Sequence, residues 1–335
     1  MNKEDIRNTL LKELTKEVEF IPRGKLRIEN YLNTGFNLLN FILSGEFKKG
    51  IPEGQIVMFA GEEMTGKTLF AALTAVQAEK ESYLVLWLDS EGAVDDEYFD
   101  RIGMGEHFIY KRVGTIEDVQ NILLTALKKA KVRNARLFIV LDSLGNIASM
   151  KEVADSQKGE IKSDMGQRAK GIRSAFRRIS PLIFETKSIF ILINHIYKGV
   201  GPYDADRPSG GLAPLYLSGI VLMFKRSTPR EGKMHIYVES LKNRFYIPKI
   251  RVHFTLEFQK GISEEEGLIE LGQMLGVITN AGGWWDFNGK KYRKSKLVQE
   301  EEFLNVLEQK VKEYTFARLK EKELPKELQE ESPTI

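Results

Sequence analysis

Eight consecutive residues have the types and spacing of a phosphate-binding loop, in which two glycines separated by four residues are followed by Lys and Thr. They are Gly61, Glu62, Glu63, Met64, Thr65, Gly66, Lys67 and Thr68. An apolar run, residues 56–60, precedes them, and a segment rich in Leu and Ala, residues 69–79, follows. In a strand, loop and helix of this order, backbone N–H groups and the helix N-terminus face phosphate oxygens. The sequence therefore predicts a nucleoside triphosphate site, with Lys67 at the terminal phosphates and the Thr68 hydroxyl on Mg²⁺.

Two acidic residues that follow apolar strands are candidates for the chemistry beside this loop. The strand of residues 137–141 ends at Asp142, where a carboxylate can hold Mg²⁺ or its water shell. The strand of residues 84–88 leads to Glu91, a candidate general base that orients the attacking water on the γ-phosphate. Acids after strands also commonly cap the next helix. Paired with the phosphate loop, the metal role of Asp142 and the catalytic role of Glu91 are favoured.

A third apolar strand, predicted for residues 189–193, ends in Asn194 and His195. On the strand next to the one that bears Asp142, a polar side chain can hydrogen-bond the γ-phosphate and report its presence. The following segment, residues 196–211, has no periodicity, and loops this long inside compact domains are usually functional or disordered. A γ-phosphate sensor that leads into such a loop predicts a ligand surface switched by the nucleotide.

Two polar segments could supply that surface, residues 151–166 and residues 196–211. The first enters a helix rich in Arg and Lys, and the second contains aromatic residues and cations. Most charge runs are only solvated faces, but cations beside aromatic or apolar side chains can hold a nucleic-acid backbone and its bases. The candidate DNA-binding residues are Lys158, Lys162, Met165, Arg168, Lys170, Tyr197, Lys198, Tyr203 and Arg207.

The elements that must position these residues alternate between strand and helix from residue 56 to residue 193. This alternation predicts an α/β fold, a mainly parallel sheet flanked by helices on both faces. Strand-like runs without helices between them begin at residue 220 and predict an antiparallel extension. We expect a short N-terminal helix within residues 1–27, an ATPase core at 28–260, a small α-rich C-terminal domain at 261–320 and a charged, disordered tail at 321–335.

The composition of the 335 residues limits the other possibilities. The chain has no cysteine, which excludes disulfides and thiolate metal sites, and its four histidines lack the spacing of zinc ligands. The net charge of +3 is too small to imply a polyanionic partner without a local patch. No apolar run is long enough to span a membrane and the N-terminus is not signal-like, so no membrane partner is expected.

Several motifs in this order resemble the RecA-type recombinases, and within them the phage UvsX-type branch. The resemblance spans residues 34–285 and includes the phosphate loop, residues 89–95, 141–146, 163–165, 193–195 and 210–211, and Lys242-Asn243-Arg244. The residues at 142–146 and the pair Asn194-His195 are similar to the phage branch, because bacterial RecA has Gln where His195 stands. The resemblance implies a RecA-like ATPase core and a cytoplasmic location, in a bacterium or a phage-infected host.

The resemblance also implies roles for individual residues. Glu91 would activate water, Asp142 would support Mg²⁺ and His195 would sense the γ-phosphate. Asp95 and Tyr98 fall where the family holds adenine, Tyr98 by stacking, although such a tyrosine is more often a core aromatic.

The resemblance further implies residues that bind DNA and residues that contact neighbouring subunits. Residues 156–165 and 196–209 match the two DNA-binding loops, with Met165 at a contact position. Lys242 and Arg244 match the basic pair that reaches a neighbouring subunit's ATP; the alternative for them is an exposed strand end. The family uses its N-terminal segment in subunit packing, which favours that role for residues 4–17.

The expected function is that of a DNA-dependent ATPase. With ATP and Mg²⁺ it would form a helical filament of copies of itself on single-stranded DNA and catalyse pairing and strand exchange with homologous duplex DNA. A single-strand-binding protein and a loading mediator are further expected partners. A hexameric helicase with the same core, or an accessory protein that binds ATP without turning it over, remain as alternatives.

Overall fold

The computed structural model describes residues 3–17, 28–158, 165–197, 207–208, 211 and 213–321. Its helices are α1 (Lys3–Glu17), α2 (Asn37–Ser44), α3 (Lys67–Lys80), α4 (Asp96–Ile102), α5 (Ile116–Arg133), α6 (Met150–Gln157), α7 (Met165–Glu185), α8 (Ala213–Leu217), α9 (Glu265–Met274), α10 (Lys294–Leu297) and α11 (Glu301–Glu321). Its strands are β1 (Tyr31–Leu32), β2 (Ile51–Pro52), β3 (Ile56–Gly61), β4 (Leu84–Asp89), β5 (Phe108–Arg112), β6 (Leu137–Asp142), β7 (Ile189–Tyr197), β8 (Arg207–Pro208), β9 (Ile220–Arg226), β10 (Lys233–Asn243), β11 (Arg251–Glu257), β12 (Gly261–Ser263), β13 (Thr279–Ala281), β14 (Trp284–Phe287) and β15 (Lys290–Tyr292).

One large sheet organises the chain, with the strand order β12-β11-β10-β9-β3-β7-β6-β4-β5 and β8 paired to β7. The strands from β9 to β5 in this order are parallel, whereas β10, β11 and β12 are antiparallel. Every residue of β3 and β6 is buried, as expected for continuous apolar strands covered on both faces. The predicted α/β fold, a mainly parallel sheet with an antiparallel extension, is confirmed.

Two hydrophobic clusters lie on opposite faces of this sheet. The larger one contains α2 and α3 and extends into the C-terminal region through side chains of α9 and α11. The other contains the apolar sides of α5 and α7. Because helices cover both faces, the residues that follow the strands converge on the carboxyl edge of the sheet, where ligands of such folds bind.

Several elements were not predicted from the sequence. The region after β12 contains a three-stranded antiparallel sheet, β13-β14-β15, beside its helices, where an α-rich domain was expected. Its second turn is Asn288-Gly289, both with positive φ, the usual signal of a tight hairpin. Helix α6 occupies the first part of the segment predicted as a polar loop, residues 151–166, and a capping box of Ser149 and Glu152 starts this helix.

Strand β7 is longer than predicted and continues to Tyr197, where it pairs with Arg207 of β8. The segment predicted as an aperiodic loop therefore begins and ends in an antiparallel pair. None of the helices in the described part of the chain is both long and apolar enough to cross a bilayer.

Candidate nucleotide-binding site

The phosphate-binding loop connects β3 to α3 and is folded around the ammonium group of Lys67. Lys67 Nζ donates to the carbonyl oxygens of Gly61 (3.1 Å) and Glu62 (2.5 Å) and lies 3.4 Å from Thr65 Oγ1. Gly66 has a φ of +87°, and a Cβ there would lie 2.8 Å from Ile236 Cδ1, so this turn requires glycine. Burial lowers the pKa of Lys67 to about 8.

A hydroxyl and a carboxylate meet where α3 begins and β6 ends. Thr68 Oγ1 donates to Asp142 Oδ2 over 2.9 Å, and Asp142 is only 3% exposed. Burial raises the pKa of Asp142 to about 7, and the hydrogen bond from Thr68 opposes this shift. Oxygen ligands of this kind suit Mg²⁺, and a buried carboxylate gains most from a nearby cation. The residues present therefore fit Mg²⁺ bound to a triphosphate.

Glu91 lies beside this pair and is held from two directions. Ser143 Oγ donates to Glu91 Oε1 over 2.6 Å, and His195 Nε2 lies 2.7 Å from the same oxygen. The hydrogen bond to His195 is the main cause that lowers the pKa of Glu91, so its carboxylate is ionised at neutral pH. The contact is possible because β6 and β7 are neighbours, which carries His195 next to Ser143.

Helix capping was the alternative role for Asp142 and Glu91, but the helix after β4 is capped by another acid. Asp95 is the N-cap of α4 and accepts from the Tyr98 backbone N–H over 2.8 Å. Asp89 accepts from the backbone N–H groups of Glu91 and Gly92, each over 2.7 Å, and so shapes the turn that presents Glu91. Ser143 was missed by the sequence analysis, although it directly follows Asp142.

The predicted adenine contacts, Asp95 and Tyr98, lie on the turn after β4 and on α4. The Tyr98 ring is half-buried and packs edge-on against Phe99 at 5.5 Å between centroids. Its hydroxyl is buried without a hydrogen-bond partner among the described residues, and burial raises the Tyr98 pKa to about 12. This geometry suits a core aromatic and leaves the adenine role of both residues a prediction.

Lys242 and Arg244 lie at the end of β10, and their described hydrogen bonds go to the end of α8 rather than to the phosphate loop. Lys242 Nζ donates to the carbonyl oxygens of Leu215 and Ser218, each over 2.7 Å, and Arg244 donates to that of Tyr216 over 3.2 Å. Burial lowers the pKa of Lys242. Their contact with a neighbour's nucleotide stays a prediction.

The described candidate DNA-binding residues lie on segments that follow β6, at the end of β7 or in β8. Lys158 ends α6, Met165 begins α7, and the backbones of Tyr197 and Arg207 pair across β7 and β8. Within α7, Lys170 is exposed, whereas Arg168 donates to the carbonyl oxygens of Leu144 and Gly145, each over 2.7 Å. Arg168 thus joins α7 to the turn after β6. Lys162, Lys198 and Tyr203 lie outside the described residues.

Replacing Asp142 with Asn should stabilise the chain without nucleotide. The raised pKa means that the protonated carboxyl stabilises the fold at low pH, and this contribution is lost as the pH rises from 3.8 to about 7. In EDTA, we expect the stability gain of Asp142→Asn over wild type to grow across this window, by at most about 1.4 kcal/mol per pH unit, and then level off.

Denaturant unfolding at pH values from 4.5 to 8 measures the free energy of unfolding of the variant and of the wild type. Asp100→Asn, at an exposed acid of α4, is the matched control and should show no such window. If the difference in the free energy of unfolding between Asp142→Asn and wild type became smaller as the pH rises, the burial argument would be contradicted.

The family model of the RecA N-terminal domain matches residues 12–263. The recombination and repair protein of Enterobacteria phage T4 is 27% identical over 309 residues, which cover 89% of this chain and 78% of that protein. Protein RecA of Acidothermus cellulolyticus is 25% identical over 315 residues, 90% of this chain and 85% of its own length. Both confirm the resemblance to RecA-type recombinases and to their phage branch. Because the family model covers well over half of the sequence, the chain belongs to the RecA family.

Proposed function

We propose that the chain is a DNA-dependent ATPase that, with ATP and Mg²⁺ bound, assembles on single-stranded DNA and catalyses homologous pairing and strand exchange. The observation that carries the proposal is the position of Glu91, which shares one oxygen with Ser143 and His195. The names of the relatives support a role in recombination and repair. No covalent chemistry on DNA is required, because base pairing supplies the test of sequence.

Hydrolysis needs a positioned water and stabilised charge more than a strong base. Both described hydrogen bonds to the Glu91 carboxylate use Oε1, so Oε2 is the oxygen that would accept a proton from water. Lys67 would contact the terminal phosphates, and Thr68 and Asp142 would hold the metal. Bound Mg²⁺ would neutralise charge on the phosphate oxygens.

His195 would couple the nucleotide to DNA. His195 of β7 contacts Glu91, and the next two residues of β7, Ile196 and Tyr197, pair with β8. This pair lies near the two ends of the segment proposed to bind DNA. A hydrogen bond from His195 to the γ-phosphate would compete with its bond to Glu91. Exchange between these partners would move the end of β7 and with it the DNA-binding segment.

Self-assembly is supported by an apolar groove of about 640 Å³ between β4, β5 and α5. Leu84 and Ile109, which are 37% and 49% exposed, belong to this groove and so form part of a contiguous apolar surface. On α1, Ile6 and Leu10 are 50% and 51% exposed and lie one helical turn apart. We infer that α1 of one copy packs into the groove of the next, which repeats head-to-tail and gives a filament.

Replacing Glu91 with Gln should lower ATP turnover on single-stranded DNA by about 10² to 10⁴, because the water loses its proton acceptor. ATP-dependent DNA binding should persist, since the phosphate-loop contacts remain. Phosphate release and DNA-binding anisotropy measure the two effects. The control is Glu97→Gln at an exposed acid of α4. Unchanged turnover in Glu91→Gln would favour the accessory-protein alternative.

Replacing Ile109 or Ile6 with Glu should prevent filament formation by placing a charge in the apolar contact. Electron microscopy on circular single-stranded DNA with a non-hydrolysable ATP analogue measures this effect. Met274→Glu, at an apolar residue of α9 that is also 50% exposed, is the control and should assemble normally. Filaments formed by both Ile109→Glu and Ile6→Glu would exclude this interface. Closed rings formed by the wild type would favour the helicase alternative.

Affinity for single-stranded DNA should fall steeply with salt, because each phosphate contact releases counterions. Lys198→Ala or Arg207→Ala should weaken binding about equally on all sequences and lower the magnitude of the salt slope by about 0.7 each. Lys80→Ala, at the end of α3 away from the phosphate loop, is the control. If both substitutions leave the slope unchanged, the segment from 198 to 207 does not contact the DNA backbone.

A further inference from the structure

Two histidines and a glutamate come together on the antiparallel extension of the sheet, away from the nucleotide site. In the register of β10 and β11, His235 pairs with Thr255 and Tyr237 pairs with His253. His235 and His253 are therefore diagonal neighbours on one face, with ring centroids 5.9 Å apart. Glu266 of α9 reaches the same face, and one ligand atom from each of the three residues lies within 4.8 Å of the others.

The backbone holds α9 against this strand pair by direct contact. Gly267 lies against β11 so closely that a Cβ there would overlap the carbonyl oxygen of His253. Only a residue without a side chain allows this approach. The close contact fixes Glu266, and Glu270 one turn later, beside the two imidazole rings.

Hydrogen bonds already orient the potential ligand atoms. Glu270 Oε2 lies 2.6 Å from His253 Nδ1, which leaves His253 Nε2 as the nitrogen available to a metal. Glu266 Oε2 accepts from Thr255 Oγ1 over 2.8 Å and lies 3.6 Å from His235 Nδ1. Lys294 Nζ lies 3.6 Å from the other oxygen, Glu266 Oε1. A carboxylate behind a histidine is the usual arrangement around metal-bound imidazole.

We propose that His235, His253 and Glu266 bind a divalent transition-metal ion of the Zn²⁺ class. Two imidazole nitrogens and one carboxylate oxygen suit zinc, whereas Mg²⁺ and Ca²⁺ prefer oxygen ligands alone. The carboxylates of Glu266 and Glu270 balance the charge of the ion. The ligand atoms must approach to about 3.3 Å of one another for bonds of zinc length. The half-exposed side chains of His235 and Glu266 can rotate this far.

The ion would tie the β10–β11 pair to α9 and so stabilise the junction between the sheet and the C-terminal region. None of the three ligands has a described hydrogen bond or ion pair with the phosphate loop or Glu91, so metal binding is expected without nucleotide. Sequence spacing could not reveal it, since its ligands come from two strands and a helix.

The test uses the full chain stripped of metals with a chelator, then kept in Mg²⁺ without nucleotide so that oxygen sites are filled. Titration with Co²⁺ should give a visible d–d absorption band with an end point of one ion per chain. Zn²⁺ should raise the melting midpoint by about 5 °C at a hundredfold excess over its dissociation constant. His253→Gln should weaken Co²⁺ binding by about 100-fold, and Glu270→Gln by about tenfold.

The control is His107→Gln, at a histidine that is 79% exposed and 3.5 Å from Glu79, which should bind both ions as the wild type does. Melting without metal shows whether each variant is folded. If His253→Gln is not, Glu266→Gln at a half-exposed carboxylate replaces it and should lose the band and the zinc shift. A wild type without either signal, or His253→Gln and Glu266→Gln that keep both, would overturn the proposal.

Discussion

The buried and electrostatically interacting side chains of Lys67 and Asp142 govern the carboxyl edge of the sheet. Burial lowers the pKa of Lys67 and raises that of Asp142, although each charge attracts the other. The two shifts have one cause, the cost of removing charge from water. A triphosphate with its divalent cation would bring charges of both signs to this edge. Its binding would therefore favour the ionised forms of both side chains, and part of its affinity would come from offsetting their desolvation.

The pairing of parallel strands brings these charged groups next to the other candidate residues of the site. Asp142 lies at the end of β6, Ser143 follows it, and His195 lies in the neighbouring β7. Ser143 and the proposed γ-phosphate sensor, His195, therefore both reach the Glu91 carboxylate, while the proposed metal ligand Asp142 bonds Thr68. The loops proposed to bind DNA leave the same two strands. In the proposed function, nucleotide and DNA would be coupled through a few backbone residues of β7, without any long path through the core.

The sequence was most informative where a single physical rule decided the outcome. Strands such as β3 and β6 are continuous apolar runs because both faces of the sheet are covered, and their limits were predicted to within one residue. The Glu91–His195 contact depends on strand order and register, which cannot be read from the sequence alone. The C-terminal sheet carries a readable turn signal in Asn288-Gly289, whereas the prediction of an α-rich domain followed the helical segments on either side of it. The His235–His253–Glu266 cluster is created entirely by tertiary packing.

The hydrogen bonds of Lys242 and Arg244 add a constraint to the proposed filament. Both side chains now stabilise the last carbonyl groups of α8, where cations are favoured by the helix dipole. Reaching a neighbour's phosphates would require them to leave these carbonyls, at a cost that the stronger attraction to a triphosphate would offset. Because α8 follows the proposed DNA-binding segment directly, release of its end by Lys242 would loosen the segment as the interface closes. In the proposed assembly, the exchange of hydrogen bonds by Lys242 and Arg244 would therefore change both the contact between subunits and the binding of DNA.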